Sequence, residues 1–345
     1  MCLNTEYVWS DKFYEDEAER IEVAYYSLLK NRVPDIPPPR RMEKTEHRIE
    51  ALVRRISRNV GKGNIHVGLT SSDLEDNIRH MRLFKCNENL EYRLAFLGRI
   101  FSVEMPDKKM EAYTHLLPAG ETTLLRRLSV GWSAIATKPP PPVFRGIKGA
   151  LGDRRIQHRL GIADQDLDNI FPGSVEVSSS QASNKEYDYD VACWLAKITA
   201  GLVKTANDIR MMVALGQATI KNNDIGSTAL PHKRPNPWRF ERIAGMGEVI
   251  FDLPGRVART IANCLLERTL TDQSLLNHTF KEAYTVLSNI IIDLEHGIKK
   301  VEFNSSSSPF DSEVMMLNFI KEGIPREEAH KEVKKYADKR SISNT

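Results

Sequence analysis

Residues 185–215 read KEYDYDVACWLAKITAGLVKTANDIRMMVAL. Val191, Trp194, Leu195, Ile198, Leu202, Thr205, Ile209 and Met212 recur along this stretch at three-to-four spacing. That period predicts one long helix with a continuous apolar stripe. A stripe of this length must be covered by other long helices, in a monomeric bundle or against another subunit.

Two further helical patterns follow downstream, from about Arg239 to Glu267 and from about Phe280 to Lys300, after the polar loop 221–227 (KNNDIGS). Upstream, Ala18, Ile21, Tyr25, Leu28 and Leu29 predict a helix over Asp11–Lys30, and Ile49, Leu52, Val53 and Ile56 predict one over Glu43–Val60. Between them runs 33–39, VPDIPPP, which cannot continue a helix because proline lacks the donor and clashes with the preceding turn. Gly61, Gly63 and Asn64 end the second pattern, and a helix over Leu74–Phe84 follows. Another helical stretch closes near Ala136, before the block Pro139–Pro142. Loops are expected at Phe171–Ser174 and Ser178–Ser180, and helix N-caps at Ser174, Asp224 or Asn236. Alternation suited to a strand occurs only over Gly173–Val177. The fold class is therefore expected to be all-α.

The 345 residues carry 41% apolar and 28% charged side chains, the balance of a globular chain rather than a disordered one. Lys and Arg exceed Asp and Glu by 49 − 46 = 3, too few to point to nucleic acid as a partner. No apolar run approaches a membrane span, and the opening MCLNTEYVWSDKFYEDE has no leader-like pattern, so a cytoplasmic protein is expected. Cys2, Cys86, Cys193 and Cys264 lie far apart, without the spacing of a zinc site or a disulfide framework.

Three segments could carry chemistry. The first, His66-Val-Gly-Leu-Thr-Ser-Ser-Asp73, opens a helix; Thr70, Ser71 and Ser72 offer hydroxyls and free N–H groups to a carboxylate, or the segment is a plain N-cap, which Ser72 or Asp73 would serve alone. The second, Thr114-His-Leu-Leu-Pro-Ala119, places a histidine in a loop before a helix, as a proton donor or as an ordinary surface side chain. The third, Gly226-Ser-Thr-Ala-Leu-Pro-His-Lys-Arg-Pro-Asn-Pro237, combines a tight turn, hydroxyls and cations; with Arg239 and Arg242 it suits an anionic substrate, or it is a solvated basic loop. A P-loop, GxGxxG, HExxH and GxSxG are all missing from the sequence, which argues against nucleotide hydrolysis, Rossmann dehydrogenases, zincins and α/β-hydrolases.

These segments, in this order, resemble the aspartase/fumarase superfamily, and most closely its adenylosuccinate lyase branch. The signature loop GSSxMPxKxNP is similar to Gly226–Pro237, HxGxTSxD to His66–Asp73, and THxQPAxxTT to Thr114–Thr123. Phe144–Gly149, Glu267–Leu270 and, more loosely, Ser180–Ser183 with Lys185 also match that branch. The resemblance implies a three-domain fold: an N-terminal helical domain over 1–84, a long-helix bundle over 85–300 carrying the loop 221–238, and a C-terminal helical domain over 301–345. It implies a homotetramer whose active sites are shared between subunits, a small succinyl-nucleotide substrate, and no metal, organic cofactor, nucleic acid or membrane partner.

It implies a reaction too, anti β-elimination of fumarate. Ser227 would take the Cβ proton, and His115, held by Glu267, would protonate the leaving nitrogen. Lys233 and Asn236 would hold carboxylates with Thr70 and Ser71, while His66, Thr114 and Gln181 would contact substrate. Arg242 and Arg268 would face the nucleotide's phosphate or nearby polar groups. Another fumarate-releasing lyase, of argininosuccinate or carboxymuconate type, and a catalytically inactive member of the fold are the alternatives.

Several positions depart from the family pattern. Leu117 stands for its glutamine, Thr228 for its second serine and Leu230 for its methionine. Pro235 is inserted before Asn236, and Gln273 and Asn277 replace a phosphate-binding Ser and Arg. Continuity with the family pattern is also broken near Glu104, Thr137 and Gly152.

Overall fold

The computed structural model describes residues 5–40, 45, 47–105, 107–221, 235–305 and 311–342. The fold is all-α, as expected: 62% of it is helix. The chain forms two compact units, each drawn from several stretches of sequence. The first comprises 1–95, 136–200 and 246–291; the second comprises 96–135, 201–245 and 292–345.

The long stripe forms a single helix, Glu186–Ala214. Val191, Leu195, Ile198, Leu202 and Ile209 on it are fully buried. In the second unit it packs closely on the helix Leu124–Ile135, and glycine makes that approach possible. A Cβ on Gly201 would stand 2.5 Å from the Gly131 carbonyl oxygen and 2.8 Å from Ile135 Cγ1. Gly201→Val is expected to cost about 1–3 kcal/mol through overpacking. A fall in the urea midpoint at unchanged slope is the measurement.

The helix Asp11–Leu29 begins where Ser10 Oγ accepts the Phe13 N–H at 3.1 Å, and it buries Phe13, Ala18, Ile21, Tyr25 and Leu29. Arg48–Val60 ends at Gly61 with φ +72°, a left-handed stop that glycine adopts without strain.

Four expectations are corrected. The helix expected to close at Phe84 runs over Ser71–Arg99, because Cys86, Leu90, Leu94 and Leu97 prolong the buried face beneath polar neighbours. The region 239–267 is two helices, Trp238–Phe251 and Leu253–Ala262, parted where Pro254 removes a donor. The following helix starts at Thr271 rather than at Phe280. Ser174 caps no helix; it lies in the strand Ser174–Val175, which pairs in parallel with Val143–Phe144. Asp224 lies outside the described residues.

Strands beyond Gly173–Val177 were not expected, yet two antiparallel ribbons occur. They pair Lys109–Thr114 with Leu117–Thr123 and Ala218–Ile220 with Val301–Phe303. Neither shows in the sequence as an alternating run long enough to compete with helix patterns.

Candidate active site

The first unit assembles one candidate site around the N-terminus of the helix Ser71–Arg99. The approach to it is clamped from both sides. His66 takes φ +63°; its N–H donates to Glu22 Oε2 at 3.1 Å, and its Nδ1 shares a short hydrogen bond with Glu22 Oε1. Burial lowers the pKa of the imidazole, but the hydrogen bond and charge of Glu22 outweigh burial and raise it on balance. Tyr25 donates its hydroxyl to the Val67 carbonyl at 2.9 Å, and Gln157 Nε2 donates to the Gly68 carbonyl at 2.8 Å. Gly68 has φ +79°, and a Cβ there would meet Ile156 Cγ2 at 2.7 Å, so only glycine fits.

Asp73 then fixes the start of the helix. Its carboxylate accepts the Thr70 N–H at 2.8 Å and the Lys148 N–H at 2.8 Å, and it pairs with the fully buried Arg145. Arg145 Nη2 also donates to the carbonyls of Gly149 at 2.9 Å and Ser180 at 3.0 Å. One buried ion pair thereby ties three segments together.

Several polar side chains converge above this base. Gln181 Nε2 donates to Thr70 Oγ1 at 3.2 Å. Arg268 Nη1 donates to Ser71 Oγ at 2.9 Å and to Ser72 Oγ at 2.7 Å, and its Nη2 lies 3.6 Å from Glu75 Oε2. Ser180 Oγ donates to the Glu267 carbonyl at 2.8 Å, holding the Glu267–Arg268 turn in place, while the Glu267 side chain is exposed. A helix N-terminus with a guanidinium, an amide and hydroxyls attracts carboxylate or phosphate oxygens.

A second buried network supports the Gln181 segment. Arg79 donates to Asp76 at 2.7 Å, to Asp188 at 2.8 Å and to Ser183 Oγ at 3.0 Å. Asp76 in turn accepts the Ser183 N–H at 2.8 Å, and His80 Nε2 lies 3.1 Å from Asp188. Burial alone would raise both carboxyls, but the Arg79 charge overrides it and holds them below the ordinary range.

The second unit carries Thr114 and His115, and here the expected loop is replaced by a β-hairpin. Thr114 pairs with Leu117, which leaves His115 and Leu116 as a two-residue turn with φ +52° and +63°. Hairpin turns of this kind need positive φ at both central positions and favour Asn-Gly. A histidine and a leucine there are strained, each by about 1–2 kcal/mol. Leu116 is 68% exposed, so it contributes little packing in return. Leu116→Asn is expected to stabilise the protein by about 0.5–1 kcal/mol, since asparagine tolerates the left-handed region. Thermal unfolding of the variant checks this.

Asn236, also in the second unit, is half-buried just before the helix Trp238–Phe251. Arg242 Nε stands 3.4 Å from Asp293 Oδ2, and Arg239 Nη1 stands 3.2 Å from Asp293 Oδ1. Asp293 is thus shared by two guanidiniums, and the Arg242 side chain stays half exposed. Ser227, Thr228 and Lys233 lie outside the described residues.

Within the first unit the structure brings together Thr70, Ser71, Gln181, Arg268 and the Glu267 backbone. His66 sits at the entry to the same helix, turned to Glu22. Sequence reasoning missed Glu22, Glu75, Arg79, Arg145 and Asp188 as working residues, and gave Asp73 only as a possible cap. Glu22 had a visible signal, a lone charge on the apolar stripe Ala18, Ile21, Tyr25 and Leu29. Among the described residues no group of three or more His, Cys, Asp or Glu side chains could hold a metal, and no helix is long and apolar enough to cross a membrane.

No family model matches the chain. It is similar to adenylosuccinate lyases from several organisms. The protein of Archaeoglobus fulgidus is 26% identical over 96% of this chain and 78% of its own length. Those of Caenorhabditis briggsae (26% identical, 80% of this chain) and Saccharomyces cerevisiae (24%, 79%) are matched over 64% and 62% of their lengths. The chain therefore spans less than two thirds of these last two relatives. Among solved structures, a fumarate lyase from Mesorhizobium sp. BNC1 superposes with TM-score 0.77 at 17% identity, covering 99% of this chain and 87% of that one. A 3-carboxy-cis,cis-muconate lactonizing enzyme from Pseudomonas putida superposes with TM-score 0.75 at 16% identity, covering 99% and 86%. The chain thus has the all-α fold of the fumarate lyases, and its sequence resembles the adenylosuccinate lyases over most of its length.

Proposed function

We propose that this chain is a carbon–nitrogen lyase of the adenylosuccinate type, releasing fumarate from a succinyl nucleotide by anti β-elimination. The observation that carries this reading is the convergence of Thr70, Ser71, Gln181 and Arg268 on one helix N-terminus, in a chain similar to adenylosuccinate lyases. Such a cluster binds an anion and orients it without any metal.

In this reading Thr70 and Ser71 hold a substrate carboxylate, joined by Lys233 and Asn236. Gln181, His66 and Thr114 contact the substrate, and Arg268 and Arg242 face its phosphate. Ser227 is the base at Cβ. Its alkoxide needs a stabilising field, which the Lys233 charge supplies. His115, oriented by Glu267, protonates the leaving nitrogen. No cofactor is required, because acid–base groups suffice for the elimination. The site is completed by neighbouring subunits of a homotetramer, and the enzyme works in the cytoplasm.

A second reading has a specific observation behind it. Arg268 is engaged by Ser71, Ser72 and Glu75, so it is not an open phosphate seat. That favours a related lyase acting on a non-phosphorylated succinyl compound. The deciding experiment follows fumarate release from adenylosuccinate, from the succinylated carboxamide ribotide and from argininosuccinate, with carboxymuconate cyclisation alongside. Turnover of the two nucleotides supports the first reading. Turnover of argininosuccinate or carboxymuconate alone replaces it with the second, and turnover of none leaves an inactive member of the fold.

A further inference from the structure

Glu75 lies one turn inside the helix that begins at Ser71, next to Arg268. The 3.6 Å separation between Arg268 Nη2 and Glu75 Oε2 is an ion-pair distance but too long for a hydrogen bond. Glu75 Oε2 is buried and has no hydrogen-bond partner. A carboxylate oxygen in that condition is costly unless it is protonated or another group settles it. Meanwhile Arg268 uses its other nitrogen on Ser71 and Ser72, the hydroxyls of the candidate anion site.

We propose that Glu75 is a specificity-setting residue: its carboxylate stands as the resident counter-ion of Arg268, so that an incoming dianion takes that seat only as Glu75 takes up a proton. The proposal rests on reading Arg268 as part of the anion site.

The surroundings of Glu75 support it. Burial pushes the carboxyl up to about 7, against the pull of Arg268; Asp76 adds to the rise, and Arg79 and Arg48 oppose it. Tyr14, on the helix Asp11–Leu29, is a further titratable neighbour, and the Glu75 charge helps raise its phenol. Glu75 is therefore divided between its two forms near neutral pH. An anion held by Arg268 adds negative charge close by and favours the protonated form. Affinity for a dianion must then fall as pH rises above about 7, approaching tenfold per pH unit, the limit for one coupled proton.

The test is titration of the full-length protein with inorganic sulfate, a dianion that does not itself titrate near neutrality, between pH 6 and pH 9. In the wild type the dissociation constant should rise with pH, with proton uptake visible as a dependence of the binding heat on the buffer. Glu75→Gln should flatten that slope and tighten binding at pH 8 about tenfold. Glu75→Leu should flatten it as well, which guards against a folding defect peculiar to one variant. An unchanged slope in both variants overturns the proposal, and so does sulfate binding that Arg268→Gln leaves intact. The titration involves no turnover. It can fail while fumarate is still released from adenylosuccinate, and it can succeed when no succinyl nucleotide is turned over.

Discussion

Arg79→Met is expected to lower stability by about 3–5 kcal/mol, the cost of leaving buried charge uncompensated. Asp76 and Asp188 have no exposed side-chain surface, and Arg79 is the only guanidinium bonded to either of them among the described residues. Methionine fills much of the volume, so the loss is electrostatic rather than a cavity. His80 would remain beside Asp188, and the Ser183 N–H and the Lys185 charge beside Asp76, but the one cation bonded to both carboxylates is gone. The pH dependence separates this cause from a packing defect. In the wild type both aspartates have depressed folded pKa values, so their stabilisation is present above about 3.9 and is lost as pH falls through the folded values. In the variant burial wins and the pKa values rise, so stability is lost as pH climbs instead. The gap between the two proteins should therefore be widest at neutral pH, narrow as the variant's aspartates take up protons, and close only as the pH falls on through the depressed wild-type values. Urea unfolding at several pH values measures it. A uniform deficit across pH would contradict the assignment, and adding Asp76→Asn and Asp188→Asn should restore much of the loss.

Ser227→Ala is expected to reduce kcat by about 10²–10⁴, the usual contribution of a positioned proton acceptor. Thermal unfolding and KM should change little, because a hydroxyl that serves only as the base is not needed to bind the ground state. The measurement is the initial rate of fumarate appearance from adenylosuccinate, with unfolding followed on the same samples. Retained turnover would remove Ser227 from the base role. A rise in KM at unchanged kcat would make it a binding residue instead.

Much of the fold was legible because helix formation is written locally. The apolar period of residues 185–215 predicts a helix that matches Glu186–Ala214 to within a residue at each end. The period failed where polar residues hid it. Lys85, Asn87, Glu88 and Asn89 break the visible pattern, yet Cys86, Leu90 and Leu94 continue the buried face to Arg99. It failed again at Pro254, whose break could have been read from the residue alone. The turn at His115 and Leu116 was hidden for the opposite reason. Neither residue type favours positive φ, so only strand pairing on either side reveals it.

At the site, residue order alone names the available chemical groups: the Thr70–Asp73 helix start, Gln181, the Glu267-Arg268 pair, His115 and the Ser227–Asn236 loop. Tertiary structure alone decided how they are partnered. Arg79 meets Asp188 across 109 residues, and Arg268 meets Ser71 across 197. No local period encodes contacts at such separations, since they form only when helices pack and desolvate the charges between them. The same packing turned His66 toward Glu22 and Arg242 toward Asp293, and it set Glu75 against Arg268. Residue identity supplied the acids, bases and cations. The low-dielectric interior then decided which charges are neutralised within the protein and which remain for a substrate, because a buried charge must find a partner and an exposed one need not.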